Sequence, residues 1–335
     1  MDLDAYVAVH SGEWRRLEEL LRRASRPRRL TGAEIDEVVD LYQRVATHLS
    51  VVQSAGPDAQ LVARLSSLVA QARGTVAGSR KASWRDPARF LARDFPALCY
   101  RTRWWWGGCA LGFLIVAVAS GLWVGQNPEV QLAIADPEQV RQLVERDFEA
   151  YYSSNPAQDF AAQVFTNNAW VAAQCILFGA LLGIPIPYVL LQNALNVGVS
   201  GGLLAANDRL GLFFGLILPH GMLELTAVFV AAGLGLKLGW TVIDPGRRTR
   251  SAALAQEGRA LVSGAMGLAL VLLVSGVIEA FVTPSGLPTA ARIGIGLVAE
   301  ALFLAWVFGP GRRAHRAGVT GDVSADRAGD SLPVA

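Results

Sequence analysis

Apolar runs long enough to cross a bilayer constrain this chain more than any other feature of its sequence. Hydrophobic residues make up 52% of the 335 positions, the mean hydropathy is +0.34, and several runs reach the ~20 residues that span hydrocarbon. Inside hydrocarbon every backbone N–H and C=O must be paired within the fold, which single apolar runs achieve as helices. We therefore predict an all-α fold, a polytopic integral membrane helical bundle.

The positions of the arginines relative to these runs predict the topology. We predict about six transmembrane helices, at approximately 104–124, 168–186, 187–206, 210–238, 260–282 and 290–309. Arg101 and Arg103 precede the first run, and further arginines cluster in 244–259 and 312–316. Because positive residues are retained on the cytoplasmic side, we expect the N and C termini in the cytoplasm.

The polar parts of the chain define the predicted domains. Trp14, Leu17 and Leu20 recur at helical spacing between charged residues, and Thr31 with Glu34 has the pattern of a capping box. Acidic residues nearly balance the basic ones in this region, so we expect no nucleic-acid binding. The predicted parts are a cytoplasmic helical domain at 1–98, a transmembrane domain at 99–310 with an extracytoplasmic amphipathic loop at 125–165, and a disordered cytoplasmic tail at 311–335.

The three cysteines are predicted to pack in the interior rather than to carry chemistry. Cys99, Cys109 and Cys175 have no Cys-x-x-Cys spacing, and two of them lie in apolar runs. We predict no disulfide, no zinc site built on cysteine and no cofactor.

A histidine and a carboxylate stand out inside the apolar sequence. His220 and Glu224 lie in the run 210–238, where each ionisable group costs about 2.5–3.5 kcal/mol on insertion scales. Their i, i+4 spacing places both on one face of a helix. The predicted topology brings further polar residues to the outer half of the bilayer, so we predict a polar cluster of His220, Glu224, Glu279, Asn167, Asn168 and Asn193.

Four interpretations of this cluster are open. Interhelical hydrogen bonds could hold the bundle or a partner together. Pro219, which lacks an N–H, could break the helix and form a substrate or lipid-headgroup site of the kind found in transporters. The cluster could also relay protons. A metal site on His220, Glu224 and Glu279 is the weakest alternative, because the His-Glu-x-x-His pattern is absent, and we predict no metal.

Several motifs resemble those of the stage II sporulation protein M family of bacterial membrane proteins. They are Phe165-x-Asn167-Asn168, Asn193-x-x-x-x-Gly198, Pro219-His220-Gly221-x-x-Glu224 and Ile278-Glu279-Ala280-Phe281-x-x-Pro284. The segments Trp14 to Leu21 and Leu41 to Val45 are similar to the non-sporulating branch, which is often encoded beside MoxR-type ATPases and RDD-domain proteins. The resemblance implies a polytopic membrane protein in which Gly198, Pro219, Gly221 and Pro284 are motif positions.

The resemblance also supplies the leading functional hypothesis. Sporulation members of the family act as a membrane scaffold for peptidoglycan-degrading proteins, which implies a non-enzymatic scaffold or assembly protein linked to cell-envelope remodelling. The expected partners are membrane lipids and other envelope proteins, including an RDD-domain protein and a MoxR-type ATPase, and glycine pairs at i, i+4 would also allow a homodimer. The alternatives are a transporter, channel or lipid-handling protein and, third, an intramembrane metal-dependent hydrolase.

Overall fold

The predicted all-α fold is confirmed. The computed structural model describes residues 3–24, 30–55, 59–76, 85–134, 136 and 157–322, and the regular structure in these ranges is entirely helical. Two compact units are present, Met1–Trp84 and Arg85–Ala335.

The N-terminal unit contains three helices, α1 (Leu3–Ala24), α2 (Gly32–Ala55) and α3 (Ala59–Val76). Their core includes Trp14, Leu17 and Leu20, each 0% exposed, as the helical spacing predicts. The predicted capping box is confirmed: the Thr31 N–H donates to Glu34 Oε2 at 2.8 Å, and the Glu34 N–H donates to Thr31 Oγ1 at 3.4 Å.

The two compact units divide between Trp84 and Arg85, before the domain boundary that the sequence predicts at 98. The short helices α4 (Arg85–Arg89) and α5 (Phe95–Arg101), joined by a π-helical turn at Phe90–Asp94, belong to the second unit. Phe95 and Leu98 are fully buried in the core of that unit. The arginines and aspartates among them made the segment look like part of a soluble domain, although its apolar face is buried.

The second unit continues with α6 (Arg103–Gln126), α7 (Pro128–Ile134), α8 (Ala157–Phe178), α9 (Ile186–Ala206), α10 (Leu210–Ile243), α11 (Arg250–Phe281) and α12 (Thr289–Trp306). Among the described residues, five helices are long and apolar enough to cross a membrane, namely α6, α9, α10, α11 and the helical stretch Thr289–Arg316 that begins with α12. The predicted crossing at 168–186 overlaps α8, which ends at Phe178 before a 3-10 turn. A total of six crossings therefore stays a prediction, as do the cytoplasmic location of the N-terminal unit and the depth of His220 in the bilayer.

Helix α6 has the surface of a helix that faces lipid. Trp104 and Trp123 are 78% and 60% exposed at its two ends. They lie about 28 Å apart along the axis at 1.5 Å per residue, close to the ~30 Å of the hydrocarbon layer. Large apolar side chains are exposed between them: Leu111, Leu114, Ile115, Val118 and Leu122.

Helix α10 runs unbroken through Pro219. The sequence left open whether this segment breaks into a re-entrant half and a span, and the structure shows a single helix of 34 residues. Pro219 cannot donate to the carbonyl of Gly215, so one helical hydrogen bond is missing there. The neighbouring helix packs closely at this point, because a Cβ added at Gly296 would lie 2.4 Å from the Pro219 carbonyl oxygen.

Close backbone contacts show the relative directions of the helices. A Cβ at Gly198 of α9 would lie 2.4 Å from the Ala117 carbonyl oxygen of α6, and one at Gly202 would lie 2.5 Å from that of Gly121, so the two helices run parallel. These glycines serve contacts within the chain.

The bundle has two ends, which we name after residues found there. At the histidine end lie the start of α10, the end of α11 and the start of α12. At the arginine end lie the start of α6, the end of α10 and the start of α11.

The predictions for the C-terminal tail and for the cysteines can also be compared with the structure. The tail predicted to be disordered from 311 is ordered as far as 322: it forms α13 (Arg312–Arg316), and Arg259 pairs with Asp322 at 3.7 Å. Residues 323–335 lie outside the described part of the chain, as do residues 137–156 of the amphipathic loop predicted at 125–165. Cys99, Cys109 and Cys175 are buried in the hydrophobic core, which confirms their packing role.

Candidate functional site: a buried polar cluster

His220 lies between α10 and α11 near the histidine end of the bundle. Its Nδ1 is 3.2 Å from Thr283 Oγ1 and its Nε2 is 3.6 Å from Glu279 Oε1. Ser275 donates its hydroxyl proton to the His220 carbonyl oxygen at 3.0 Å. Both side chains of the His220–Glu279 pair are almost fully buried, with exposures of 6% and 1%. The imidazole is therefore held by α11 and by the turn that follows it.

Glu224 extends this cluster by one helical turn. The residue is almost fully buried, with a relative exposure of 6%, and its side chain forms a hydrogen bond with Asn168 of α8. It also interacts electrostatically with Glu279. Residues of three helices, α8, α10 and α11, thus meet at one buried point.

Helix α12 joins the same region through two further contacts. Thr226 donates to Glu300 Oε1 at 3.0 Å. Arg292 donates from Nη1 to the Thr283 carbonyl oxygen at 2.7 Å and from Nη2 to Thr289 Oγ1 at 3.1 Å. The guanidinium therefore ties the turn after α11 to the first turns of α12, directly beside the histidine.

Within this region of the bundle, two carboxylate oxygens are buried without a hydrogen bond from the described residues. They are Glu279 Oε2 and Glu300 Oε2. A buried acceptor without a donor costs about 1–3 kcal/mol, so such an atom requires an explanation. A proton, a water molecule or a polar ligand group could each supply the missing donor, and the site can therefore bind a hydrogen-bond donor or exchange a proton.

Of the residues predicted for the cluster, the structure brings together His220, Glu224, Glu279 and Asn168. Asn167 is exposed, because adjacent residues of a helix point about 100° apart and only Asn168 faces α10. Asn193 is half-buried on α9 and donates to the Val189 carbonyl oxygen of its own helix at 2.8 Å. The membership of Asn167 and Asn193 in the cluster stays a prediction.

The motif glycines and prolines have backbone roles. Gly198 serves the contact between α6 and α9 described above. Gly221 is buried beside His220, and a Cβ there would meet Ile217 Cγ2 at 3.0 Å. Pro219 lies inside α10, and Pro284 lies exposed in the turn after Thr283.

Comparison with known proteins identifies the family to which the chain belongs. The profile of the stage II sporulation protein M family matches residues 110–284, more than half of the chain. The chain belongs to the stage II sporulation protein M family. The matched region contains Asn168, His220, Glu224 and Glu279, so this part of the cluster lies within the family domain, whereas Arg292 and Glu300 lie beyond it.

Two further comparisons describe other parts of the chain. A domain of unknown function (DUF8413) matches residues 4–78, which corresponds to the N-terminal helical unit. The chain is also 28% identical over 126 residues to "Uncharacterized protein MJ0793" of Methanocaldococcus jannaschii, covering 36% of this chain and 69% of that protein. No solved structure matches.

Four polar residues that contact the buried cluster or lie near it were not predicted from the sequence. Ser275 precedes Glu279 by one helical turn, a spacing that places both on one face of α11. Glu300 stands alone as an acid in an apolar run, the same signal that identified Glu279. Thr226 and Thr283 carried no comparable signal, because threonine is common in membrane helices.

A group with the spacing of a metal site occurs elsewhere, in the N-terminal unit. Ligand atoms of His10, Glu13 and His48 lie within 4.8 Å of one another. The indole N–H of Trp14 donates to His48 Nδ1 at 3.2 Å, so that nitrogen already has a partner. This group lies outside the residues His220, Glu224 and Glu279, and the metal site considered for those three residues stays a hypothesis.

Proposed function

We propose that this protein is a non-enzymatic membrane scaffold of the cell envelope, in which the buried cluster fixes the arrangement of four helices. The observation that carries this proposal is the way the cluster is bonded. His220, Glu224 and Thr226 of α10 each contact a different helix or turn, and the three residues are at most 9% exposed. Side chains bonded in this way serve to hold helices in register.

The energy of such bonds suits a structural role. Each interhelical hydrogen bond in a membrane protein contributes about 0.6–2 kcal/mol, and without the polar partner each group would be left unpaired in an apolar interior. Bonds from α10 to α8, α11 and α12 together stabilise the bundle by several kcal/mol on this scale. A bundle held rigidly in this way can present fixed surfaces to other proteins.

Family membership and chain organisation suggest what the scaffold would assemble. We propose that the N-terminal unit Met1–Trp84 docks cytoplasmic partners, such as a MoxR-type ATPase, and that the bundle associates with an RDD-domain protein in the plasma membrane. The proposed process is peptidoglycan remodelling, as implied by the scaffold role of sporulation members of the family. Both termini would then lie in the cytoplasm.

The test compares His220→Ala with Asn193→Ala, two polar substitutions in neighbouring membrane helices. We expect His220→Ala to lower the free energy of unfolding in detergent by about 1–3 kcal/mol, since it also leaves Thr283 and Glu279 without their partner. It should release proteins that co-purify with the tagged chain, whereas Asn193→Ala, which removes a bond within α9, should do neither. A His220→Ala protein with wild-type stability and an intact set of partners would contradict the proposal.

A second function is favoured by the two unpartnered carboxylate oxygens. Glu279 Oε2 belongs to the His220–Glu279 pair and Glu300 Oε2 to the carboxylate that accepts from Thr226, and these oxygens could pass a proton or bind a polar substrate during transport. Reconstitution in vesicles with an internal pH-sensitive dye would detect this activity. A proton flux in the wild type that Glu279→Gln abolishes, while the fold and the partners are retained, would favour the transporter over the scaffold.

A further inference from the structure

An apolar groove follows the outer surface of the bundle at its arginine end. It lies mainly between α6 and α9 and has a volume of about 570 Å³, within the ~300–1,000 Å³ typical of ligand sites. Its lining includes Trp104, Trp105, Gly108, Gly112, Pro187 and Leu236. The groove thus starts at the aromatic residues that open α6 and continues along that helix.

Two glycines create the space in this groove. A Cβ added at Gly108 or at Gly112 would meet nothing within 4 Å. Because the two residues are four positions apart, they leave an open strip along one face of α6. In contrast to Gly198 and Gly202, a Cβ added at these glycines would meet no other helix in the described part of the chain.

Arg103 stands at the aromatic end of the groove. Its guanidinium lies 5.3 Å from the centroid of the Trp104 ring and 4.3 Å from that of Tyr100. It donates to the Tyr100 carbonyl oxygen at 3.0 Å, and no carboxylate of the described residues lies within ion-pair distance of it. A positive charge therefore lies beside Trp104, which lines the groove.

Three more cations surround a single carboxylate at the same end. Arg101 binds Glu257 through two hydrogen bonds of 3.1 and 2.8 Å, while Lys237 and Arg248 approach the same carboxylate at 3.8 and 3.9 Å. Lys237 directly follows Leu236, which lines the groove. With Arg103, the arginine end carries four cations against one anion in this group, an excess of positive charge where α6 enters the apolar region.

We propose that the groove binds one acyl chain of an anionic phospholipid and that Arg103 and Lys237 bind its phosphate headgroup. Exposed tryptophans mark the level of the lipid headgroups, and Arg103 lies beside Trp104 at this level. Lys237 follows the groove residue Leu236 at the same end of the bundle. Basic pockets between membrane helices attract acidic headgroups, and each cation contributes to that attraction. Glu257 orders Arg101 by its bidentate bond, and Lys237 stays near the surface with 21% of its side chain exposed.

This site is separate from the buried polar cluster. The groove lies at the arginine end, whereas His220 lies at the histidine end, and no residue is common to both. The lipid-binding proposal therefore goes beyond the scaffold function and can succeed or fail independently of it.

Native mass spectrometry of the full-length protein, with phosphatidylglycerol and phosphatidylcholine added at equal concentration, tests the headgroup. We expect phosphatidylglycerol to be retained at least tenfold more strongly. Lys237→Gln and Arg103→Gln should each weaken that binding about fivefold, whereas Arg312→Gln, an exposed arginine of α13, should not. Lys237→Gln leaves the bidentate pair of Glu257 with Arg101 intact, so the fold is retained. Equal binding of the two lipids, or equal losses in all three variants, would overturn the proposal.

A matched pair of glycine substitutions tests the groove. Gly112→Leu should fill the strip and reduce phosphatidylglycerol binding at least fivefold. Gly107→Leu adds the same side chain to the same helix at a position that also has nothing within 4 Å but does not line the groove, so binding should be unchanged. Unchanged binding in Gly112→Leu, or the same loss in both folded variants, would show that the lipid does not lie in this groove.

Discussion

Replacing Gly198 with alanine should separate two helices that now touch through their backbones. A Cβ at this position would lie 2.0 Å from Ser120 Oγ and 2.4 Å from the Ala117 carbonyl oxygen, against an ordinary contact distance that begins at 3.4 Å. The serine hydroxyl can rotate away, although it now donates to the Val116 carbonyl oxygen at 2.8 Å. The Ala117 carbonyl belongs to the backbone, so α6 and α9 must move apart by about 1 Å.

The energetic consequence follows from that displacement. A gap of ~0.5–1 Å forfeits a quarter to a half of the dispersion attraction, and overpacking of a close interface costs about 1–3 kcal/mol. Alanine is favoured over glycine inside a helix by about 1 kcal/mol, which offsets part of the loss. We expect Gly198→Ala to lower the free energy of unfolding by about 1–2 kcal/mol. Gly107→Ala, with nothing within 4 Å of its added Cβ, should raise it by up to about 1 kcal/mol.

Reversible unfolding in mixed micelles measures both effects. The two variants and the wild type are titrated with a denaturing detergent, and helix content is followed by far-ultraviolet circular dichroism. The opposite signs of the two changes are the diagnostic result, because both substitutions add the same methyl group to a membrane helix. A Gly198→Ala protein as stable as Gly107→Ala would refute the close contact between α6 and α9.

Three further substitutions test the charged and polar contacts. Glu257→Gln leaves Arg101 buried without its bidentate partner, so we expect a loss of about 3–5 kcal/mol in the same unfolding assay, and a near-neutral result would contradict the buried pair. Thr31→Ala removes the N-cap of α2, and amide hydrogen exchange of its first turn should show a local loss of about 1 kcal/mol, with wild-type protection as the contrary outcome. Burial lowers the pKa of His48, with a smaller contribution from His10. Because its folded pKa lies below the unfolded value of about 6.5, the stability associated with neutral His48 is present above pH 6.5 and is lost as the pH falls through the folded pKa. Exchange of α1 and α2 amides should therefore accelerate at acidic pH relative to other helices, and His48→Gln should remove that difference; an equal acceleration in the variant would assign it to another group.

Local patterns predicted much of the fold. The capping box at Thr31, the apolar core of α1 and the bounds of α9 and α12 follow from signals within one or two helical turns. Errors arose where polarity and burial disagree. Phe95 and Leu98 stand among charged residues yet pack in the membrane unit, and the arginine-rich residues after 311 form a helix that the sequence assigned to a disordered tail.

The candidate site could likewise be predicted only in part from local sequence patterns. His220, Glu224 and Glu279 were recognisable because ionisable residues are expensive in apolar segments, whatever the fold. The predicted topology gave Asn193 a level in the bilayer but not a bonding partner, which is the Val189 carbonyl oxygen of its own helix. Glu300 carried the same signal as Glu279, but only its hydrogen bond with Thr226 connects it to this region.

The sequence by itself determined that this protein is a helical membrane protein with costly polar groups at known positions, because apolar length and helical periodicity are local properties. The tertiary structure alone decided which groups meet: the partners Ser275 and Thr283 are 55 and 63 positions from His220. It also decided that glycine pairs with the same spacing have different roles, Gly198 and Gly202 packing against α6 and Gly108 and Gly112 lining a groove. Periodicity fixes the face on which a residue lies, whereas the helix opposite that face depends on how the whole bundle packs.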